Sequence, residues 1–268
     1  MTDTGFVTMG DGCRIAYRLD GPGRAPVLLL SNSLGAALDM WAPQLAAFSE
    51  TFRVLRYDSR GHGASDVPPG AYSLDRLGRD VVELLDGLDI GRIHFCGLSM
   101  GGMVGQWLGY RAPERVARLI LANTSSYMGP PASWDARIAT LGQGGMAAMV
   151  GPVLERWFTP AFLARGGTAI AAVRHMLEAT HAAGYAGCCA AIRDMDMRPV
   201  TPLIALPTLV IGGTADPSTP IEHSEALVAA IAGARLATLP TAHLSNVEEP
   251  AGFIRLALDF LRQGTQEH

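Results

Sequence analysis

Ser99, Asp216 and His243 are the residues of this sequence whose types and order could support covalent catalysis. Ser99 lies in Gly-Leu-Ser-Met-Gly, a match to the pattern G-x-S-x-G. A serine hydroxyl is a weak nucleophile at neutral pH, so it needs a base, and the base needs a carboxylate to orient it. Asp216 and His243 follow in the order that accompanies this serine motif. The pattern predicts a nucleophile at Ser99, a general base at His243 and an orienting carboxylate at Asp216.

The segments around Ser99 give its motif more weight than the pattern alone. The strand-like sequence Arg-Ile-His-Phe-Cys precedes it, and the helix-like sequence Met-Val-Gly-Gln-Trp-Leu-Gly-Tyr follows it. A strand, a tight turn and a helix form a nucleophile elbow, in which Gly97 and Gly101 relieve crowding around a strained serine. The alternative is a glycine-rich connection without catalysis, since the chain has 31 glycines. Asp216, which precedes a proline, could likewise be only a turn residue.

Backbone N–H groups are expected to stabilise the negative charge that develops on the substrate oxygen. The residue after the nucleophile, Met100, supplies one donor at the start of a helix. The second donor comes from the loop after an early apolar strand, and we assign it to Leu34, with Ser33 in the pocket wall. The segment 56–63, Arg-Tyr-Asp-Ser-Arg-Gly-His-Gly, is also rich in reactive groups. We interpret it as a buttressing loop.

The elements around these residues indicate one α/β domain. Apolar runs typical of buried strands alternate with helical segments, which predicts a mostly parallel sheet with helices on both faces. Eight strands are predicted over residues 6–9, 14–18, 26–30, 52–57, 92–96, 117–122, 208–211 and 234–239. Helices are predicted up to about residue 48, over 73–88, from 100 onward, and over 221–232 and 251–262. The three catalytic candidates then follow strands that end at the same edge of the sheet.

Residues 125–198 interrupt this alternation with helical segments broken by glycine and proline, and they contain no convincing strand. We therefore predict an α/β core formed by residues 1–124 and 199–268. Residues 125–198 are predicted to form a helical cap over a site at the carboxyl edge of the sheet.

Composition excludes several other kinds of protein. The net charge of −4 gives no electrostatic basis for binding nucleic acid or a membrane. All 21 basic residues are arginine, so a catalytic lysine is excluded and a substrate carboxylate must be bound by arginine or protonated histidine. The four cysteines match no zinc pattern and indicate a reducing compartment. Because the chain has neither a signal-like start nor an apolar run long enough for a bilayer, we expect a cytoplasmic protein. We also expect that the protein uses no metal or cofactor. Whether the protein forms a homo-oligomer stays open.

Four segments together resemble the 3-oxoadipate enol-lactonase family: SNSLG at 31–35, RYDSRGHGASDVPPG at 56–70, FCGLSMGGMVGQWLG at 95–109 and AHLSNVEEP at 242–250. The resemblance extends over nearly the whole chain, including CCAAIRDMDMR at 188–198. It implies an α/β-hydrolase fold with a Ser-His-Asp triad and no cofactor. It also implies hydrolysis of a small enol-lactone with a pendant carboxylate to 3-oxoadipate, in the β-ketoadipate pathway of aromatic catabolism.

The pendant carboxylate needs hydrogen-bond donors in the pocket. The sequence does not rank the candidates, which are Ser33, Trp134, Arg137, Arg156, His175, His181 and Arg193. Other functions stay open at this point. A carboxylesterase or C–C bond hydrolase of the same fold would use the same triad, and a non-catalytic binding protein would use only the pocket. Haloalkane dehalogenases and epoxide hydrolases are disfavoured, because they carry aspartate at the nucleophile position.

Overall fold

The computed structural model describes residues 2–263; Met1 and residues 264–268, at the two ends of our predicted core, lie outside the described residues. Across the described part the chain forms eight strands: β1 (Asp3–Thr8), β2 (Arg14–Asp20), β3 (Val27–Ser31), β4 (Arg53–Tyr57), β5 (Ile93–Leu98), β6 (Val116–Ala122), β7 (Thr208–Gly213) and β8 (Arg235–Leu239). The α-helices of the same part are α1 (Ala42–Ser49), α2 (Leu74–Gly87), α3 (Met100–Arg111), α4 (Pro131–Gly144), α5 (Ala147–Trp157), α6 (Pro160–Arg165), α7 (Thr168–Ala179), α8 (Ala182–Asp194), α9 (Ile221–Ala230), α10 (Ser245–Glu248) and α11 (Pro250–Arg262).

All eight strands belong to one sheet in the order β1-β2-β4-β3-β5-β6-β7-β8. β2 is antiparallel to β1 and β4, and every other pair of neighbours is parallel. Successive strand residues point to opposite faces, and Phe95 and Cys96 in the central strand β5 are both fully buried. Both faces of the sheet are therefore covered. This confirms the predicted eight-stranded, mostly parallel sheet.

Helix α2 shows how local sequence produces these elements. Ser73 caps its start by accepting a hydrogen bond from Arg76 N at 3.1 Å. The buried residues Leu77, Val81 and Leu84 recur at helical spacing and face the core. The predicted helix over 73–88 and the observed helix agree to within a residue at each end, because a cap and an apolar stripe are both local signals.

The helices α4 to α8 lie between β6 and β7 in the chain, as expected for an inserted cap. The segment that leads into this insertion pairs with the segment that leads out of it. Tyr127 and Asp196 form an isolated antiparallel bridge, and Met197 N donates to Ser126 O at 2.8 Å. This closed base supports the proposed division into a core and a cap at residues 125 and 198.

Several details of the fold differ from the expectations, and β1 spans Asp3–Thr8 rather than 6–9. A 3-10 helix, Leu38–Trp41, precedes α1, and the short helix α10 follows His243. Helix α9 ends at Ala230 rather than at 232. These short segments carry too few residues for a periodic pattern to be visible in the sequence. Within residues 2–263, no helix combines the length and apolar character needed to cross a membrane.

Candidate active site

Ser99 occupies a sharp turn between β5 and α3. Its φ of 58° lies in the left-handed region, which costs a non-glycine residue about 1–2 kcal/mol. Hydrogen bonds to β6 and the residues after it hold this backbone: Ser99 N donates to Ala122 O at 2.9 Å, and Thr124 Oγ1 donates to Ser99 O at 2.7 Å. The neighbouring strand β6 and its end therefore support the strained turn, and Ser99 lines a cavity at the sheet edge.

Gly97 and Gly101 make the turn sterically possible. A Cβ atom at Gly97 would lie 2.1 Å from the carbonyl oxygen of Gly101, and one at Gly101 would lie 2.2 Å from the carbonyl oxygen of Ser31. Both distances are far inside van der Waals contact with backbone atoms, which cannot move aside. The glycines of the motif are thus required by the close approach of α3 to β5 and β3.

Asp216 and His243 form a buried pair. His243 Nδ1 lies 2.8 Å from Asp216 Oδ2, and each residue is less than 5% exposed. The same oxygen accepts hydrogen bonds from Thr219 Oγ1 at 2.7 Å and Asn123 Nδ2 at 3.0 Å. The other carboxylate oxygen accepts from Ser218 N at 2.8 Å and Thr219 N at 3.1 Å. The carboxylate is therefore fixed in both position and orientation.

Electrostatics keep Asp216 ionised. Burial alone would raise the pKa of its carboxyl, but the charge of His243 and the hydrogen bonds from His243, Asn123 and Thr219 lower that pKa to about 2. An ionised carboxylate at Nδ1 makes this nitrogen the donor, so Nε2 of the neutral imidazole is the nitrogen free to accept a proton. His243 lines the same cavity as Ser99.

The loop expected to donate to the oxyanion lies beside Ser99. Gly101 N donates to Asn32 O at 3.0 Å, so residues 31–35 pack against the first turn of α3. Leu34 lines the cavity together with Ser99 and Ser33. Met100 begins α3, so its N–H has no partner within the helix. The structure thus brings both expected donor segments to the nucleophile.

The buttressing loop supports this oxyanion loop directly. Gly35 N donates to Nε2 of His62 at 2.8 Å, and Nδ1 of His62 lies 3.2 Å from Arg60 O. Burial lowers the pKa of His62 to about 4, against a smaller opposing effect of the Arg60 carbonyl. The Arg60 guanidinium is held in turn by a two-pronged ion pair with buried Asp80, at 2.6 Å for each hydrogen bond. A neutral His62 is therefore part of the frame that positions residues 31–35.

The cap is bonded to the loop that carries His243. Leu244 N donates to Trp157 O at 3.0 Å, at the end of α5. Glu248 accepts hydrogen bonds from Ala242 N at 3.0 Å and from both the backbone and the hydroxyl of Thr159. The residues on either side of His243 are thus anchored to the cap as well as to the sheet.

The cavity has a volume of about 270 Å³ and lies between the sheet edge and the cap. Two arginines line it, and no Asp or Glu of residues 2–263 does. Arg137 stacks over the Trp134 ring at 4.7 Å. Burial and, next, the charge of Arg137 lower the pKa of Arg156. Neither arginine forms an ion pair within the described chain, so the cavity wall presents positive charge suited to an anion.

The structure separates the other substrate-binding candidates. Ser33, Trp134, Arg137 and Arg156 line the cavity. The expectations for His175, His181 and Arg193 are not supported by where these residues lie. His175 is exposed on α7, and His181 caps the start of α8 by accepting from Ala183 N at 3.3 Å. Arg193 forms surface ion pairs with Asp135 and Asp194, so its charge is already neutralised.

Several residues of the site are not apparent from the sequence reasoning, namely Asn123, Tyr185, Ser218 and Thr219. Asn123 follows a buried strand, as Asp216 and His243 do, and that placement is the signal that could have found it. Tyr185 lines the cavity from α8, where nothing in the local pattern distinguishes its direction. Across residues 2–263, no group of three or more metal-ligating side chains is arranged to hold a metal ion.

The fold and the Ser99 turn define a class. A family model of the alpha/beta hydrolase fold matches residues 26–162, and the chain belongs to this family. It is 41% identical over 237 residues to 3-oxoadipate enol-lactonase 2 of Acinetobacter baylyi, covering 88% of this chain and 89% of that protein. The family resemblance carried by the sequence motifs is thereby confirmed.

Solved structures give the same relationship. A hydrolase from Pseudomonas aeruginosa PA01 superposes with a TM-score of 0.95 at 53% identity, covering 97% of this chain and 98% of that one. The enol-lactonase from Burkholderia xenovorans LB400 superposes with a TM-score of 0.94 at 43% identity, and the match covers 96% of this chain and 100% of that one.

Proposed function

We propose that this protein is a carboxylic ester hydrolase that opens the ring of 3-oxoadipate enol-lactone to give 3-oxoadipate. The observation that carries the proposal is one small cavity that holds a serine in a nucleophile elbow, the Asp216–His243 pair and two arginines that form no ion pair within residues 2–263. The relationship to enol-lactonases named above supports the choice of substrate.

In the first half of the proposed reaction, Ser99 Oγ attacks the ring carbonyl carbon and its proton passes to His243 Nε2. The carbonyl oxygen becomes an oxyanion that accepts hydrogen bonds from the N–H groups of Leu34 and Met100. Asp216, ionised because its pKa is about 2, stabilises the imidazolium that forms. Collapse of the intermediate breaks the ring C–O bond, and the enolate oxygen takes the proton from His243.

The second half releases the product. The enol is a better leaving group than an alkoxide, and its conversion to the ketone removes the oxygen that could close the ring again. The acyl chain and the leaving group are still one molecule, which is held on Ser99 as an ester. Water attacks this ester while His243 accepts a proton, and breaking the ester bond returns a proton to Ser99. These steps use only side chains, backbone amides and water.

The pendant carboxylate of the substrate is assigned to Arg137 and Arg156. Both line the cavity and neither forms an ion pair with another described residue, so a bound carboxylate would replace lost hydration with charge-assisted hydrogen bonds. The stacking of Arg137 on Trp134 limits the directions its guanidinium can take. Ser33 adds a hydroxyl to the wall beside Ser99.

We place the reaction in the β-ketoadipate pathway of aromatic catabolism and in the cytoplasm. The four cysteines are all free and buried, which supports a reducing compartment.

Direct assay tests the substrate assignment. Purified protein is given 3-oxoadipate enol-lactone or p-nitrophenyl acetate, with the Ser99→Ala variant as the control for background hydrolysis. Lactone turnover that depends on Ser99 and exceeds ester turnover in kcat/KM is expected. Ester turnover without lactone turnover would refute the substrate and leave a general esterase. Ligand binding without turnover of either compound would indicate a binding protein.

A further inference from the structure

Asn123 stands at the end of β6 in an unusual backbone conformation. It is fully buried and has a φ of 43°, in the left-handed region. Its backbone N donates to Ile211 O at 2.8 Å, which continues the pairing of β6 with β7. The conformation is strained for any residue with a Cβ atom, although asparagine tolerates it better than most.

The side-chain amide of Asn123 joins three segments of the active site. Nδ2 donates to Asp216 Oδ2 at 3.0 Å and lies 3.2 Å from Ala242 O, the carbonyl directly before His243. Oδ1 accepts from the hydroxyl of Ser245 at 2.6 Å, where α10 begins. One amide therefore bonds to the turn of the acid and to both sides of the histidine.

Space around this amide is kept free by Gly213. A Cβ atom there would lie 2.9 Å from Asn123 Nδ2 and 2.5 Å from Ala242 O. The close contact of Gly213 with the Asn123 amide and the Ala242 carbonyl fixes the distance between the Asp216 turn and the residue before His243. A hydrogen bond to an ionised carboxylate is among the stronger ones in proteins, and here water has no access to replace it.

We propose that Asn123 is a positioning residue of the catalytic triad, which orients the Asp216 carboxylate and holds the His243 loop at the distance needed for proton transfer. This inference rests on the proposed serine mechanism but not on the identity of the lactone. The competing explanation is structural: the end of β6 needs a left-handed residue, and asparagine merely satisfies it.

Glycine separates these explanations, because it adopts a positive φ without strain and has no amide. Asn123→Gly should lower kcat by about 10- to 100-fold, as expected for a lost hydrogen bond to a charged group. KM should stay within about threefold of the wild-type value, since Asn123 does not line the cavity. Asp89→Gly is the matched control, because Asp89 is an exposed residue with a φ of 52°. It should leave kcat unchanged.

Asn123→Asp provides a second variant if the glycine form folds poorly. It keeps the size, the tolerance for a positive φ and the acceptor for Ser245, but it removes the donor and places a carboxylate against Asp216. Its kcat should fall further than that of Asn123→Gly. Thermal unfolding midpoints of all variants show whether a loss of activity follows from unfolding.

The rate at which a fluorophosphonate labels Ser99 gives a readout independent of the substrate. The expected result is wild-type labelling, slower labelling of Asn123→Gly and none of Ser99→Ala. Equal labelling and kcat for wild type and Asn123→Gly would overturn the positioning role while leaving the serine mechanism intact. Absence of labelling in the wild type would overturn both.

Discussion

Replacing His62 with glutamine should make the folded protein less sensitive to acid. His62 is 1% exposed, accepts a hydrogen bond from Gly35 N and is neutral in the fold. Burial lowers its pKa to about 4 from the ordinary value of 6.5. Between these two pH values the unfolded chain binds a proton that the folded chain does not. Acid therefore favours unfolding, and the loss of stability begins as pH falls below about 6.5 and is complete near pH 4.

The size of this effect follows from the difference in pKa. A difference of 2.5 between the two values corresponds to about 3 kcal/mol at 1.36 kcal/mol per unit. At pH 4.5 most of it should already be lost relative to pH 7. His94 contributes a loss of the same sign, because burial and then Arg118 and Arg92 lower its pKa to about 4. This second contribution is present in both proteins and cancels in the comparison.

Urea unfolding followed by circular dichroism at pH 7 and pH 4.5 measures the effect. The free energy of unfolding should fall by about 2–3 kcal/mol more in the wild type than in His62→Gln, since glutamine does not titrate but keeps an acceptor for Gly35. His175→Gln, on the exposed face of α7, is the matched control and should behave as the wild type does. Equal losses in the wild type and His62→Gln would refute the assignment of a buried neutral histidine.

Three further predictions concern the chemistry. Ser99→Ala should lower kcat by several orders of magnitude, measured by the loss of lactone absorbance. Its unfolding midpoint should stay close to that of the wild type, because alanine occupies the same positive-φ turn as serine. Asp216→Asn should lower kcat by about 10⁴-fold, because the amide can stabilise the wrong tautomer of His243; a loss below tenfold would contradict its role. Arg137→Gln and Arg156→Gln should raise KM for the lactone by about tenfold each, as expected for a lost charged hydrogen bond, with p-nitrophenyl acetate as the neutral control. Equal effects on both substrates would point to general damage.

The sheet and the Ser99 turn can be predicted from sequence because their requirements are local. A buried parallel strand needs a continuous apolar run, and the elbow needs Gly97 and Gly101 where the backbone passes within contact of α3 and β3. The placement of Asp216 and His243 follows from topology, since parallel strands end at one edge. These parts of the site depend on chain order more than on the details of packing.

The cap is harder to predict, because arginine and histidine look alike in sequence whether they face a cavity or solvent. Arg156 lines the cavity, whereas Arg193 pairs with two surface aspartates. Arg156 lies on α5 and Arg193 on α8, and which side of each helix meets the cavity depends on long-range packing that no short pattern records. Asn123 is not apparent from the sequence for a related reason: its amide contacts residues that follow it in the chain by about a hundred positions, at Asp216 and Ser245.

The bonds between the cap and the histidine loop bear on how new specificities could arise in this scaffold. Trp157 and Thr159 belong to the cap, yet they form hydrogen bonds with Leu244 and Glu248, at the two ends of the short helix α10. An exchange of caps between relatives would therefore alter the support of the general base at the same time as the pocket wall. Chimaeras that transplant α4 to α8 should keep Thr159 and Glu248 as a matched pair.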